Sequence, residues 1–133
     1  MIFDAIDTLK QCLNVFAPMI ATMRVLPQNM RKAASGGFIN ATDCADYLVK
    51  KGMPFRMAYK ITGQLVARCI SEGKTLETLP LESYREYSEL FGEDLYNEIS
   101  LETCVSKRIS AGGTGAESVK VQLDYADRML KEL

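Results

Sequence analysis

Histidine is absent from this 133-residue sequence, which removes the commonest general base and the nitrogen half of any Cys/His metal set. Cys12, Cys44, Cys69 and Cys104 are widely separated, with no CxxC pair, so neither a zinc site nor a redox dithiol is written here. The expectation is reduced thiols, mostly buried, with no metal and no cofactor. A basic run is also missing: 16 Lys and Arg are spread against 17 Asp and Glu, for a net charge of −1, which argues against nucleic acid as a partner. No apolar run approaches the ~20 residues that cross a bilayer, and Asp4 and Asp7 argue against a signal peptide with a basic leader. A cytoplasmic protein with no membrane partner is expected. Gly36 and Gly37 sit in no GxGxxG or GxxxxGK pattern, so they read as a hinge or helix C-cap and not as a phosphate loop.

What is present is helical patterning. With 47% hydrophobic and 25% charged residues the chain can bury a core as one globular domain, and no segment alternates like a strand. The fold class is all-α. Ile2, Ile6, Leu9, Leu13, Phe16, Ile20 and Met23 recur at alternating spacings of four and three, the seam of a helix packed lengthwise against others. Pro18 lies inside it, deletes the hydrogen bond to Asn14 and predicts a kink there. Pro27 suits the start of a short helix containing Met30 and Arg31, ended by Ser35, Gly36 and Gly37.

The segment from Phe38 to Tyr59, FINATDCADYLVKKGMPFRMAY, reads as a helix-turn-helix. Asn40 or Thr42 is placed to cap the first helix, with Asp43 and Asp46 at the positive end of its dipole. Ala45, Leu48 and Val49 form its apolar side, with Tyr47 at the edge. Gly52 supplies a left-handed stop, and Pro54 suits the first turn of the next helix. That helix runs to about Glu72, with Ala58, Ile61, Leu65, Val66 and Cys69 on one broad face and Gly73 as its stop. A mid-helix glycine at Gly63 costs about 1 kcal/mol against alanine, which the close approach of a neighbouring helix explains better than a ligand contact. Pro80 opens a short helix containing Tyr84, Tyr87 and Leu90, closed by Phe91 and Gly92. A further turn lies around Leu95, and Ser100 caps a helix through about Arg108. Thr114 and Glu117 have the spacing of a capping box for a last helix, lined on one face by Val119, Leu123, Ala126 and Leu130.

Carboxylate pairs such as Asp43 with Asp46 and Glu93 with Asp94 sit near helix starts, where they stabilise the dipole without catalysis. Lys107 and Arg108, followed by the glycines at 112 and 113 and a helix start, make Lys107, Arg108, Gly113 and Thr114 a candidate anion site; a solvated basic helix end is the other reading.

The phrase ATDCADYLVKKGMPFRMA closely resembles the C-terminal domain of argininosuccinate lyases, where Ala41, Thr42, Asp43, Ala45, Asp46, Tyr47, Leu48, Val49, Lys51, Gly52, Pro54, Phe55, Arg56 and Ala58 match the pattern ATD-x-ADYLV-x-KG-x-PFR-x-A. PLESYREYSELFGEDL and RISAGGTGAESV agree in order. Where the family usually reads GGTAP, this chain has Gly112, Gly113, Thr114, Gly115 and Ala116, so a rigidifying proline is missing. The resemblance implies that residues 1–26 are the end of a long helix from a central bundle shared by four subunits, and that residues 27–133 are a small C-terminal helical domain with helix-turn-helix units. It implies a parent homotetramer that cleaves argininosuccinate to arginine and fumarate by β-elimination. The family's GSSxMPxKxN serine loop, its histidine and its substrate-binding residues are not in this sequence, so no catalytic residue is expected, the chain alone is expected to be inactive, and Met1 reads as an introduced or fortuitous start. The alternative is a stand-alone helical interaction protein, or a crystallin-like structural one, self-associating through the Ile2 to Met23 seam.

Overall fold

A computed structural model describes residues 2–132, and all regular structure among them is helical. The helices are α1 (Ile2–Ala21), α2 (Pro27–Ser35), α3 (Ala41–Lys50), α4 (Phe55–Glu72), α5 (Leu81–Arg85), α6 (Leu95–Glu98), α7 (Leu101–Ser106) and α8 (Ala116–Lys131). The chain divides into two compact units, one reaching to Arg31 and the other starting at Lys32.

In the first unit α1 continues through Pro18 to Ala21 and has no buried residue. The last turn is tied by the Thr22 N–H and hydroxyl, both donating to the Pro18 carbonyl. Every seam residue is exposed, from Ile6 at 42% to Ile2 at 71%.

The second unit contains the core. Cys44, Ala45, Tyr47 and Leu48 of α3 pack with Ala58, Leu65 and Cys69 of α4, and Tyr84, Phe91, Leu95 and Ile99 close the cluster from the later segments. Removing this apolar surface from water is the main stabilising contribution, at roughly 25 cal/mol per Å². Tyr47 is therefore a core residue and not an edge one, whereas Val49 is 37% exposed.

The α3–α4 turn is fixed by its backbone. Gly52 adopts φ +95°, its N–H donates to the Val49 carbonyl, and the Met53 N–H reaches back to Leu48. These are the paired bonds of a Schellman stop, which needs a left-handed residue at that point. Gly73, at φ +63°, ends α4 in the same way through bonds to Ile70 and Cys69. Pro54 occupies the N-cap position of α4, one residue before its first turn.

Several expectations are corrected. Asn40 stands at the N-cap of α3 without capping it; its buried amide donates to Glu77 Oε1 at 3.1 Å and to the Ile99 carbonyl at 2.9 Å. The helix after Pro80 stops at Arg85, so Tyr87 and Leu90 lie in the turns beyond it. Ser100 does cap α7, accepting the Thr103 N–H at 3.2 Å, but that helix ends at Ser106. The Thr114–Glu117 capping box does not form: Gly115 is the N-cap of α8 and no side chain caps it. The loop before α8 folds back instead, with the Gly115 N–H donating to the Arg108 carbonyl at 3.0 Å. A Cβ at Gly115 would lie 2.9 Å from that oxygen, so a larger residue there would push the Arg108 carbonyl aside.

Candidate functional site

The second unit presents three places where polar or accessible groups converge. Each is built on α3.

The first contains the candidate anion residues. Arg108 donates to Asp43 Oδ2 at 2.7 Å, and the Asp43 side chain is only 3% exposed. Lys107 donates to Glu98 Oε2 at 2.6 Å and to the Glu98 carbonyl at 3.2 Å, and Lys50 approaches the same carboxylate at 3.5 Å. Lys107 holds the Glu98 carboxyl below its usual range, chiefly through that hydrogen bond. The Gly113 N–H is taken by the Ser110 carbonyl at 2.8 Å, and α8 starts beyond Thr114. Both cations thus have intramolecular carboxylate partners, and the structure does not aim them together at one point. Asp43, read from sequence as a dipole charge, instead joins α3 to the segment after α7.

The second centres on the Tyr47 hydroxyl. It donates to Asp94 Oδ1 at 2.8 Å and accepts from the Gly92 N–H at 3.0 Å and from Lys51 Nζ. Lys51 also pairs with Asp94 Oδ2 at 3.1 Å and lies 4.4 Å from the Tyr47 ring centre. The Tyr47 hydrogen bond, followed by the Lys51 one, holds the Asp94 carboxyl low, and Tyr47 likewise raises the Lys51 ammonium. The ring stacks on Phe91 at 6.0 Å. This is a closed cluster in which each polar group has a partner.

The third is a groove of about 320 Å³ between α3 and α4, lined by Ala41 and Ala45 on one side and by Phe55, Tyr59, Gly63 and Val66 on the other, with Thr62 beside them. Nothing lies within 4 Å of where a Gly63 Cβ would stand. The close approach expected from Gly63 is therefore not made within the second unit. Thr62 is 4% exposed, and its buried Oγ1 has only the Cys44 thiol, a weak partner, to bond to.

The buried thiols and the Tyr84 hydroxyl are held toward their neutral forms by burial. All four cysteines are free and only Cys12 is exposed. Burial pushes the Cys44 and Cys104 thiols up to about 12. Tyr84 donates to the Leu76 carbonyl and is also raised by burial. No group of three or more Cys, Asp or Glu side chains among the described residues is placed to hold a metal ion. No described helix is long and apolar enough to cross a membrane.

Comparison with known proteins agrees with this packing-dominated domain. A family profile described as "Argininosuccinate lyase C-terminal" matches residues 38–106, which begins at the Phe38 turn and takes in every core element from α3 to α7. The chain belongs to the argininosuccinate lyase family. It is 50% identical over 132 residues to the argininosuccinate lyase of Ruminiclostridium cellulolyticum, covering 99% of this chain and 29% of that protein. The enzyme of Acetivibrio thermocellus is 53% identical over 129 residues, 97% of this chain and 28% of its own length. That of Desulforamulus reducens is 50% identical over 132 residues, 99% and 29% respectively. The chain therefore spans less than a third of the length of these curated relatives. The stand-alone interaction or crystallin-like reading finds no support among them.

Proposed function

We propose that this chain works as the C-terminal helical domain of an argininosuccinate lyase, whose β-elimination releases arginine and fumarate, and that by itself it turns over no substrate. One observation carries the reading: identity of 50% runs over 99% of the chain yet reaches only 29% of the relative's length. The chemistry of the second unit is in keeping with it. Proton abstraction beside a carboxylate needs a base poised near the working pH. The buried thiols are held protonated, and the Asp43, Asp94 and Glu98 carboxylates are engaged by cations. In the parent enzyme this domain supplies packing support, α1 joins a helical bundle in a homotetramer, and the protein is cytoplasmic.

The test is direct. Purified chain mixed with argininosuccinate should release fumarate no faster than a control without protein, as followed by fumarate absorbance. The same domain within the full-length polypeptide should release it readily. Turnover by the isolated chain would overturn the assignment of the catalytic groups to the rest of the enzyme.

A further inference from the structure

Helix α8 is 16 residues long, and Ser118 is its one buried residue. A helix of that length is marginal in water without a packed face, and the second unit does not supply one. Its apolar side is a seam. Val119, Leu123, Ala126 and Leu130 recur at spacings of four, three and four, and all are exposed, with Leu123 at 61% and Leu130 at 69%. That is the pattern of a helix lying lengthwise on another.

The charges beside the seam select the occupant. Lys120 and Asp127 each follow a seam residue by one position, so both lie on the same edge of it. They are two turns apart, too far to pair with each other. Asp124 and Lys131 stand four residues beyond them, yet neither Lys120 nor Asp127 has an ion pair or hydrogen bond among the described residues. A second copy laid antiparallel with the whole seam overlapped sets Val119 against its Leu130 and Leu123 against its Ala126. Lys120 then faces Asp127 of the second copy, and two-fold symmetry repeats the pair. A slip by one heptad sets Lys120 against Lys120 or Asp127 against Asp127, and a parallel pairing sets them beside Gly115 and Gln122. The antiparallel arrangement also opposes the two helix dipoles.

We propose that α8 is a self-docking helix, joining two copies of this chain in an antiparallel pair flanked by Lys120 and Asp127. With four apolar seam residues from each copy, the contact falls among small interfaces, below about 1,200 Å² in total, with a dissociation constant of about 0.1–1 mM. It uses no residue of the α1 seam and does not depend on the enzymatic reading.

The experiment uses the 133-residue chain carrying Leu9→Glu and Leu13→Glu, which removes association through α1. Sedimentation should give a monomer at about 10 µM and a dimer fraction that grows toward about 1 mM. Leu123→Glu should abolish that dimer. Lys120→Glu or Asp127→Lys alone brings like charges together and should weaken it about ten-fold, whereas the two together should restore it. Both exchanges move acid toward the N-terminus of α8 and base toward its C-terminus, as the dipole favours, and an unchanged circular dichroism spectrum checks that the helix is retained. A chain still monomeric at about 1 mM overturns the inference and leaves the α8 face to another part of the lyase polypeptide. A dimer indifferent to the single exchanges, or a double exchange that dimerises no more tightly than they do, overturns the antiparallel register.

Discussion

Asp43 and Arg108 are separated by 65 residues in sequence and by 2.7 Å in space. Because the Asp43 side chain is 3% exposed and Arg108 43%, removing the arginine strands a buried carboxylate. Arg108→Ala should cost about 3 kcal/mol, toward the low end for breaking a buried pair because one partner is half in water; urea unfolding followed by circular dichroism measures it. Asp94 and Glu98 give the chain an acid limit. Both carboxyls are held low in the fold, by Tyr47 and Lys51 and by Lys107. A lowered carboxyl stabilises the fold fully above its unfolded value and loses that contribution as pH falls through the folded one. Lys51, held high, has the opposite sign and loses its contribution as pH rises past its ordinary range. Between about pH 5 and 3 the midpoint of Asp94→Asn should therefore fall less than that of the unaltered chain. An equal fall in both would remove Asp94 from the account.

Helix ends separate what was legible in the sequence from what was not. The stops at Gly52 and Gly73 were readable because a left-handed residue is a local demand that glycine meets at little cost. Ser100 was readable for the same reason, since its acceptor serves an N–H three residues on. Asn40, Asp43 and Asp94 do stand at helix starts, as their types suggest, but their side chains serve partners 59, 65 and 47 residues away. Such pairings depend on the tertiary arrangement, which no local pattern encodes. Of the candidate anion residues, the charges were visible but their neutralising carboxylates were not, and the α3–α4 groove left only Gly63 as its trace. The start of α8 adds a prediction. Ala116 is the first helical residue and Gly115 before it is extended at ψ 148°, the conformation that precedes proline. Ala116→Pro, restoring the family's usual residue, should stabilise the chain by about 0.4–1 kcal/mol. A lowered thermal midpoint would show that the loop from Arg108 cannot accept the ring.

At the scale of the molecule, the apolar seam of α1 is exposed along its length, with Leu9 at 59% and Leu13 at 57%. An apolar stripe of that extent on a helix drives association. Sedimentation of the chain should show species larger than a monomer, and Leu9→Glu with Leu13→Glu should shift them to monomer while the helical signal of the second unit persists. A monomer before substitution would refute the role of the seam. The second unit is arranged differently, around a single short helix. Asn40 immediately before α3, and Asp43 and Tyr47 within it, reach Ile99, Arg108 and Asp94 in turn, three spokes that share one face of the helix at i, i+3 and i+7 spacing. An inserted or deleted residue between Asp43 and Tyr47 would rotate the last spoke by about 100° relative to the first two and unseat Leu48 from the core with it. The ten residues of α3 thus act as a fixed-length key, tolerant of substitutions on the solvent side and closed to any change in count.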